Sequence, residues 1–119
     1  MVFGPHDATD AKGTEDPRVA YDSNTGVYYM MYTCWGDQAQ LCLASTRDPT
    51  RPDGWTRHGL AFPGEHKSGA LLIREQPPHY LISGAGSIYI SKSDNLLNWT
   101  LGDLFINGTL WYANPPPHM

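Results

Sequence analysis

Apolar residues along this chain come in short runs rich in β-branched and aromatic side chains, bounded by Gly, Asn, Asp and Pro. Such runs read as strands, and no segment sustains a helical period. The pattern predicts strands over Arg18–Tyr21, Val27–Cys34, Gln40–Ser45, Ala70–Arg74, His79–Ser83 and Ser87–Ser91, with a further candidate over Thr109–Tyr112. The "DSNTG" stretch at 22–26 has hairpin-loop chemistry, with Gly26 suited to a positive φ. Alternation along the second run puts Tyr28, Met30 and Tyr32 on one face, with Tyr29, Met31 and Trp35 on or near the other. Sugars stack on exposed rings, but a layered β core needs the same residues, and core is the favoured reading for most of them. The fold class expected is all-β.

Comparing the chain with itself adds architecture. "YYMMYT…QLCLASTRD…GWTRHG" (28–59) aligns with "HYLISG…SIYISKSD…NWTLGD" (79–103), so that Asp48 matches Asp94 and Trp55 matches Trp99. Each unit holds a Tyr-bearing strand, a turn, a second strand ending in Ser, and a Trp opening the next element. A repeat of roughly 40–50 residues built from short antiparallel strands marks a propeller blade; a duplicated meander is the alternative. Blade-like repeats are expected at about 18–59 and 70–103 within a single partial propeller domain, residues 1–119. Two blades do not close a ring, because propellers use roughly four to eight.

Bulk properties narrow the function classes. With 119 residues, 40% hydrophobic and 17% charged, the chain suits one small domain with a core. A net charge of −4 and eight scattered Lys and Arg speak against a nucleic-acid surface. No apolar stretch reaches the ~20 residues that span a bilayer, and no secretory leader is visible at Met1. A soluble protein is expected, cytoplasmic rather than secreted. Cys34 and Cys42 make neither a disulfide framework nor a zinc site. Two buried thiols acting as small hydrophobes is the favoured reading, and a cross-strand disulfide the alternative if 36–40 is a hairpin turn. His6, His58, His66, His79 and His118 show no metal-ligand spacing, so no metal is expected and exposed loops are the default for most of them. "NWT" (98–100) and "NGT" (107–109) fit the glycosylation sequon.

The stretch "KGTEDPRVAYD" places Glu15, Asp16 and Arg18 just ahead of a β run. Judged by residue type alone, Asp16-Pro17 opens a turn, Glu15 and Arg18 lie on the surface, and Lys67 is a solvated loop residue. Motif order points elsewhere. "GTEDPRV" (13–19), "YYMMYT" (28–33), "LASTRD" (43–48), "W" with "RHG" (55–59), "HKSGALL" (66–72), "YISKSDNLLNW" (89–99) and "LWYANPPPHM" (110–119) together resemble glycoside hydrolase family 130, the β-mannoside phosphorylases and β-mannosidases. The "EDPR" element is the most specific of these, whereas the "S.D…W" blade ending occurs in other five-bladed glycosidase families.

The resemblance implies a five-bladed β-propeller of which this chain holds about two antiparallel, four-stranded-type blades. It implies inverting cleavage of β-mannosides, with Asp16 as proton donor relaying through a mannose hydroxyl. Glu15 is then a neighbouring hydrogen-bonding carboxylate, and Arg18 and Lys67 help to form the anion and sugar site. An inverting cleavage needs an acid on one face and a nucleophile on the other; a phosphate nucleophile needs cationic clamps. The implied ligand is a mannoside or oligosaccharide. No cofactor is implied, and inorganic phosphate is a candidate co-substrate, although "HYLISG" lacks the His-Arg pair that family phosphorylases carry in that strand. The competing class is a non-catalytic carbohydrate-binding or self-assembling blade module. An open two-blade unit leaves sheet faces bare, so a homo-oligomer is expected.

Overall fold

A computed structural model describes residues 3–106. Its elements are β1 (Gly13–Asp22), β2 (Val27–Trp35), β3 (Ala39–Thr46), a 3-10 turn at Pro52–Gly54, β4 (Thr56–Leu60), β5 (Lys67–Leu72), β6 (His79–Ala85), β7 (Ser87–Ser93) and β8 (Thr100–Ile106). They form two four-stranded antiparallel meanders, β1-β2-β3-β4 and β5-β6-β7-β8. The all-β reading holds, and the two sheets are blades of the propeller type. The strands β4 and β8, which close each blade, escaped the sequence pattern because "TRHGL" and "TLGDLFI" alternate poorly. The candidate strand Thr109–Tyr112 and the second sequon lie outside the described residues.

Alternation along β2 and β3 decides how the sheets stack. Tyr29, Met31, Leu41 and Leu43 share a core with Phe62, Leu81, Leu96 and Trp99, so one face of the first sheet lies on the second. Full burial of Met31, Leu41, Leu43 and Leu81 contributes on the order of 2 kcal/mol each. The seam is close at Gly69 of β5, where a Cβ would meet Met31 Cγ at 2.6 Å and Leu41 Cδ1 at 3.2 Å. Only a residue without a side chain lets β5 lie this near β2 and β3. Trp99 is buried and donates Nε1–H to the Leu96 carbonyl at 2.9 Å. Its counterpart Trp55 packs on the far face of the first sheet, as a repeated packing residue should.

That far face carries Met30, Tyr32, Cys34, Cys42 and Ala44, covered by Phe3 of the N-terminal segment and by Trp55. Here the favoured reading of the cysteines is corrected: Cys34 and Cys42 form a disulfide, with Cα atoms 5.9 Å apart. The reason lies in the register. Cys34 pairs with Gln40 and Cys42 with Tyr32, so the two cysteines are diagonal neighbours on one face, within bridging range. Of the four described histidines, His6 and His58 are exposed as expected, whereas His66 and His79 are buried. His79 Nδ1 accepts the Arg74 backbone N–H at 3.0 Å and closes the turn before β6.

Candidate active site: the β1 and β5 bulges

The acids do not precede the strand; they lie inside it. Glu15 pairs with Thr33 and Arg18 with Met31, so three steps along β1 oppose two along β2. In a regular strand, residues three apart point to opposite faces. The extra residue restores the phase and turns Glu15 and Arg18 to the same side, the side that carries Thr33 and Met31 and faces β5. The bulge is made by Asp16 and Pro17, and Asp16 takes up a left-handed backbone at φ 51°. Proline fits because it has no N–H to contribute to a ladder interrupted at that point. The turn chemistry read in "DP" is therefore present, but as a bulge within β1.

The same device recurs in β5. Lys67 pairs with Gly84 and Ala70 with Ile82, again three steps against two, and Ser68 has φ 55°. The Ser68 backbone N–H donates to Thr33 Oγ1 across the seam at 3.4 Å. Both bulges thus lie at the starts of strands that edge their sheets.

Glu15, Asp16 and Arg18 are exposed and Lys67 is half-buried. Glu15 and Lys67 are brought together through a residue that sequence reasoning assigned only to a strand face. Trp35 Nε1–H donates to Glu15 Oε1 at 2.6 Å, and Lys67 Nζ lies 5.4 Å from the centre of the Trp35 ring. The signal that pointed to Trp35 was its phase in β2, one short step beyond Thr33 on the β5-facing side. Asp16 and Arg18 make no ion pair among the described residues; the two pairs there are Arg57–Asp10 and Arg51–Asp53.

Behind Lys67, His66 is buried between the edges of Phe62 and Tyr89, at centroid distances of 4.9 and 5.4 Å. Burial holds its imidazole below the ordinary histidine pKa, with the neighbouring Glu65 carboxylate pulling the other way. No three His, Cys, Asp or Glu side chains gather as metal ligands among the described residues. A cleft of about 190 Å³ lies against Glu15 and Pro17, walled by Phe3, Thr14, Met30 and Tyr32. A larger hollow of about 420 Å³ between Pro78, Lys92 and Asn98 contains none of the candidate residues. It is an open depression among polar turns.

Comparison with known proteins follows the same lines. No protein-family model matches the sequence. A 1,2-β-oligomannan phosphorylase of Thermoanaerobacter is 32% identical over 96 residues, which is 76% of this chain and 31% of that protein. A glycosyl hydrolase structure from Bacteroides ovatus superposes with a TM-score of 0.74 at 28% identity, covering 88% of this chain and 36% of that one. A further structure superposes with a TM-score of 0.72 at 28% identity, over 88% of this chain and 36% of that one. It is described within the GH130 family of mannoside phosphorylases, as containing glycoside hydrolases that target β-1,2 mannosidic linkages in Candida mannan. The chain spans about a third of the length of each of these proteins.

Fold and likeness together define two blades of the β-propeller type, similar to blades of known glycoside hydrolases and mannoside phosphorylases. The chain is related to glycoside hydrolase family 130, the mannoside phosphorylases and glycosidases, as its motif order implied.

Proposed function

We propose that the bulged starts of β1 and β5 form one wall of a β-mannoside site, in which Asp16 is the proton donor of an inverting cleavage. Glu15, Arg18 and Lys67 bind substrate there. The observation that carries this reading is the β1 bulge: it turns Glu15 and Arg18 to one side and holds Asp16, an exposed non-glycine residue, in a left-handed backbone. Such a conformation costs of order 1 kcal/mol, and backbone strain of this kind collects at functional positions. Asp16 gives its proton, through a sugar hydroxyl, to the leaving glycosidic oxygen. The nucleophile attacks the anomeric carbon from the opposite face. With water as nucleophile the products are two sugars; with phosphate they are a sugar and a sugar 1-phosphate. Incubation with β-1,2-mannobiose, with and without phosphate, separates these outcomes by product. Neither turnover nor binding of the disaccharide would remove the reading.

The bare face of the second sheet supports self-association. By the internal repeat, Ile82 corresponds to Met31, which is buried against β5, yet Ile82 is 40% exposed. Leu72 and Ile106 are also exposed on that sheet. A second copy is the partner we assign to this face, since one sheet of the chain already buries the equivalent face. Sedimentation should show a homo-oligomer that Ile82→Lys dissociates; a monomer at tens of micromolar would contradict this. As to location, the Cys34–Cys42 disulfide favours an oxidising compartment over the expected cytoplasm.

A further inference from the structure

An indole stands between Glu15 and Lys67. An exposed carboxylate and a flexible lysine that reach the same side chain would ordinarily pair with each other, yet neither enters an ion pair among the described residues. Trp35 engages both. Its N–H meets the Glu15 carboxylate at 2.6 Å, a short charge-assisted hydrogen bond, and its ring lies 5.4 Å from the Lys67 ammonium. The indole is anchored for this task. Trp35 pairs with Gly13 and with Ala39 on its two sides, and its carbonyl accepts the Lys12 backbone N–H at 2.7 Å.

The two ways of holding a lysine differ in what is left over. A carboxylate neutralises the ammonium and occupies its N–H donors. An aromatic face attracts the same charge through its quadrupole and leaves the donors open. We propose that Trp35 is a positioning residue that keeps Glu15 off Lys67, so that the N–H donors of the ammonium stay open toward an oxyanion bound beside the bulged starts of β1 and β5. The identity of that ligand rests on the glycoside-site reading above; the separation of Glu15 from Lys67 does not.

Lysine acylation mapped by mass spectrometry tests the separation without any ligand. Trp35→Phe keeps a ring for Lys67 but takes the hydrogen-bond donor from Glu15, which is then released to pair with the lysine. Labelling of Lys67 should fall several-fold in Trp35→Phe and return to the wild-type level in Trp35→Phe/Glu15→Gln. A role limited to packing predicts equal labelling in those two variants, and that result would overturn the proposal. Should Trp35→Phe not fold, Glu15→Gln alone decides: Lys67 labelling unchanged from wild type supports the proposal. A rise would mean that Glu15 already neutralises the lysine, and would sink it. Titration of the same proteins with inorganic phosphate and β-1,2-mannobiose isolates the ligand reading. If the labelling pattern appears while wild type binds neither probe, the glycoside site fails and the role of Trp35 stands.

Discussion

Asp16 and Ser68 hold the same place in two successive edge strands, each at a bulge and each in the left-handed backbone region, at φ 51° and 55°. Glycine takes this conformation without the Cβ penalty, and β5 has a glycine immediately next to it, at Gly69. Yet both bulges place a side chain with an oxygen at the strained position. Asp and Asn tolerate the left-handed region better than other side chains do. Asp16→Asn should therefore leave urea stability unchanged within about 0.5 kcal/mol, while abolishing glycoside cleavage because the amide supplies no acid proton. Asp16→Val, β-branched at a positive φ, should cost about 1–2 kcal/mol. If Asp16→Asn unfolds the chain, the residue is a structural element of the bulge and the catalytic assignment is lost.

The N-terminal segment is held to the first sheet by one buried ion pair. Asp10, 1% exposed, accepts Arg57 Nη1–H at 2.8 Å and the backbone N–H groups of His6 and Asp7 at 2.7 and 2.9 Å. Arg57 also donates to the Gly4 carbonyl at 2.6 Å and covers the Phe3 ring at 3.8 Å. Removing one partner of such a pair leaves a buried charge uncompensated, at a cost of about 3 kcal/mol. Asp10→Ala should lose stability on that scale, and loss of the Asp10 bonds to His6, Asp7 and Arg57 should open the first residues to protease. Digestion at the wild-type rate in Asp10→Ala would show that Phe3 packing alone seats the segment.

How much of this was legible depended on whether a feature is local. The strands around Tyr29, Met31 and Leu81 could be read because alternation and β-branching are written in consecutive residues, and the Asp48/Asp94 and Trp55/Trp99 correspondence exposed the blades. The bulges could not be read, since "EDP" and "KSG" specify a turn only in isolation. It takes the pairing partners Thr33 and Met31 to show that Asp16 is an inserted residue within a strand. The disulfide failed for a related reason: the separation of Cys34 and Cys42 suits a hairpin, but only the register puts both on one face. Asp10–Arg57 joins residues far apart in the chain, and although Arg57 lies in the "RHG" motif nothing in the sequence points to Asp10 as its partner. Glu15 could be singled out from family order, whereas its partner Trp35 required the folded ring.

The seam between the sheets should be intolerant of a single methyl group. At Gly69 a Cβ would come within 2.6 Å of Met31 Cγ and 3.2 Å of both Leu41 Cδ atoms, and Met31 and Leu41 are fully buried. The clash is with the root of the methionine side chain rather than its mobile end, so relief requires β5 to shift. Overpacking of this kind costs about 1–3 kcal/mol. Gly69→Ala should lower the urea midpoint accordingly, and it should cost less in a Met31→Ala background than in the wild type. Additive effects of the two substitutions would show that the sheets adjust without strain.

Stability should also report the burial of His66. Its imidazole is 6% exposed, with the rings of Phe62 and Tyr89 against it and the Ser83 hydroxyl 3.5 Å from Nδ1. Burial depresses its pKa, and the Glu65 carboxylate opposes the shift. The sign follows from which state takes up the proton. As pH falls below the ordinary histidine value of about 6.5, the unfolded chain binds a proton that the folded chain still refuses, so unfolding is favoured. The contribution of neutral His66 is complete above that value and is lost progressively down to its lower folded pKa, with a slope of at most about 1.4 kcal/mol per pH unit. His58, also depressed by burial, adds a slope of the same sign, so the diagnostic quantity is a difference between proteins. Between pH 7 and 5 the urea midpoint of His66→Gln should fall less steeply than that of wild type. Parallel profiles would mean that the folded protein protonates His66 as readily as the unfolded chain does.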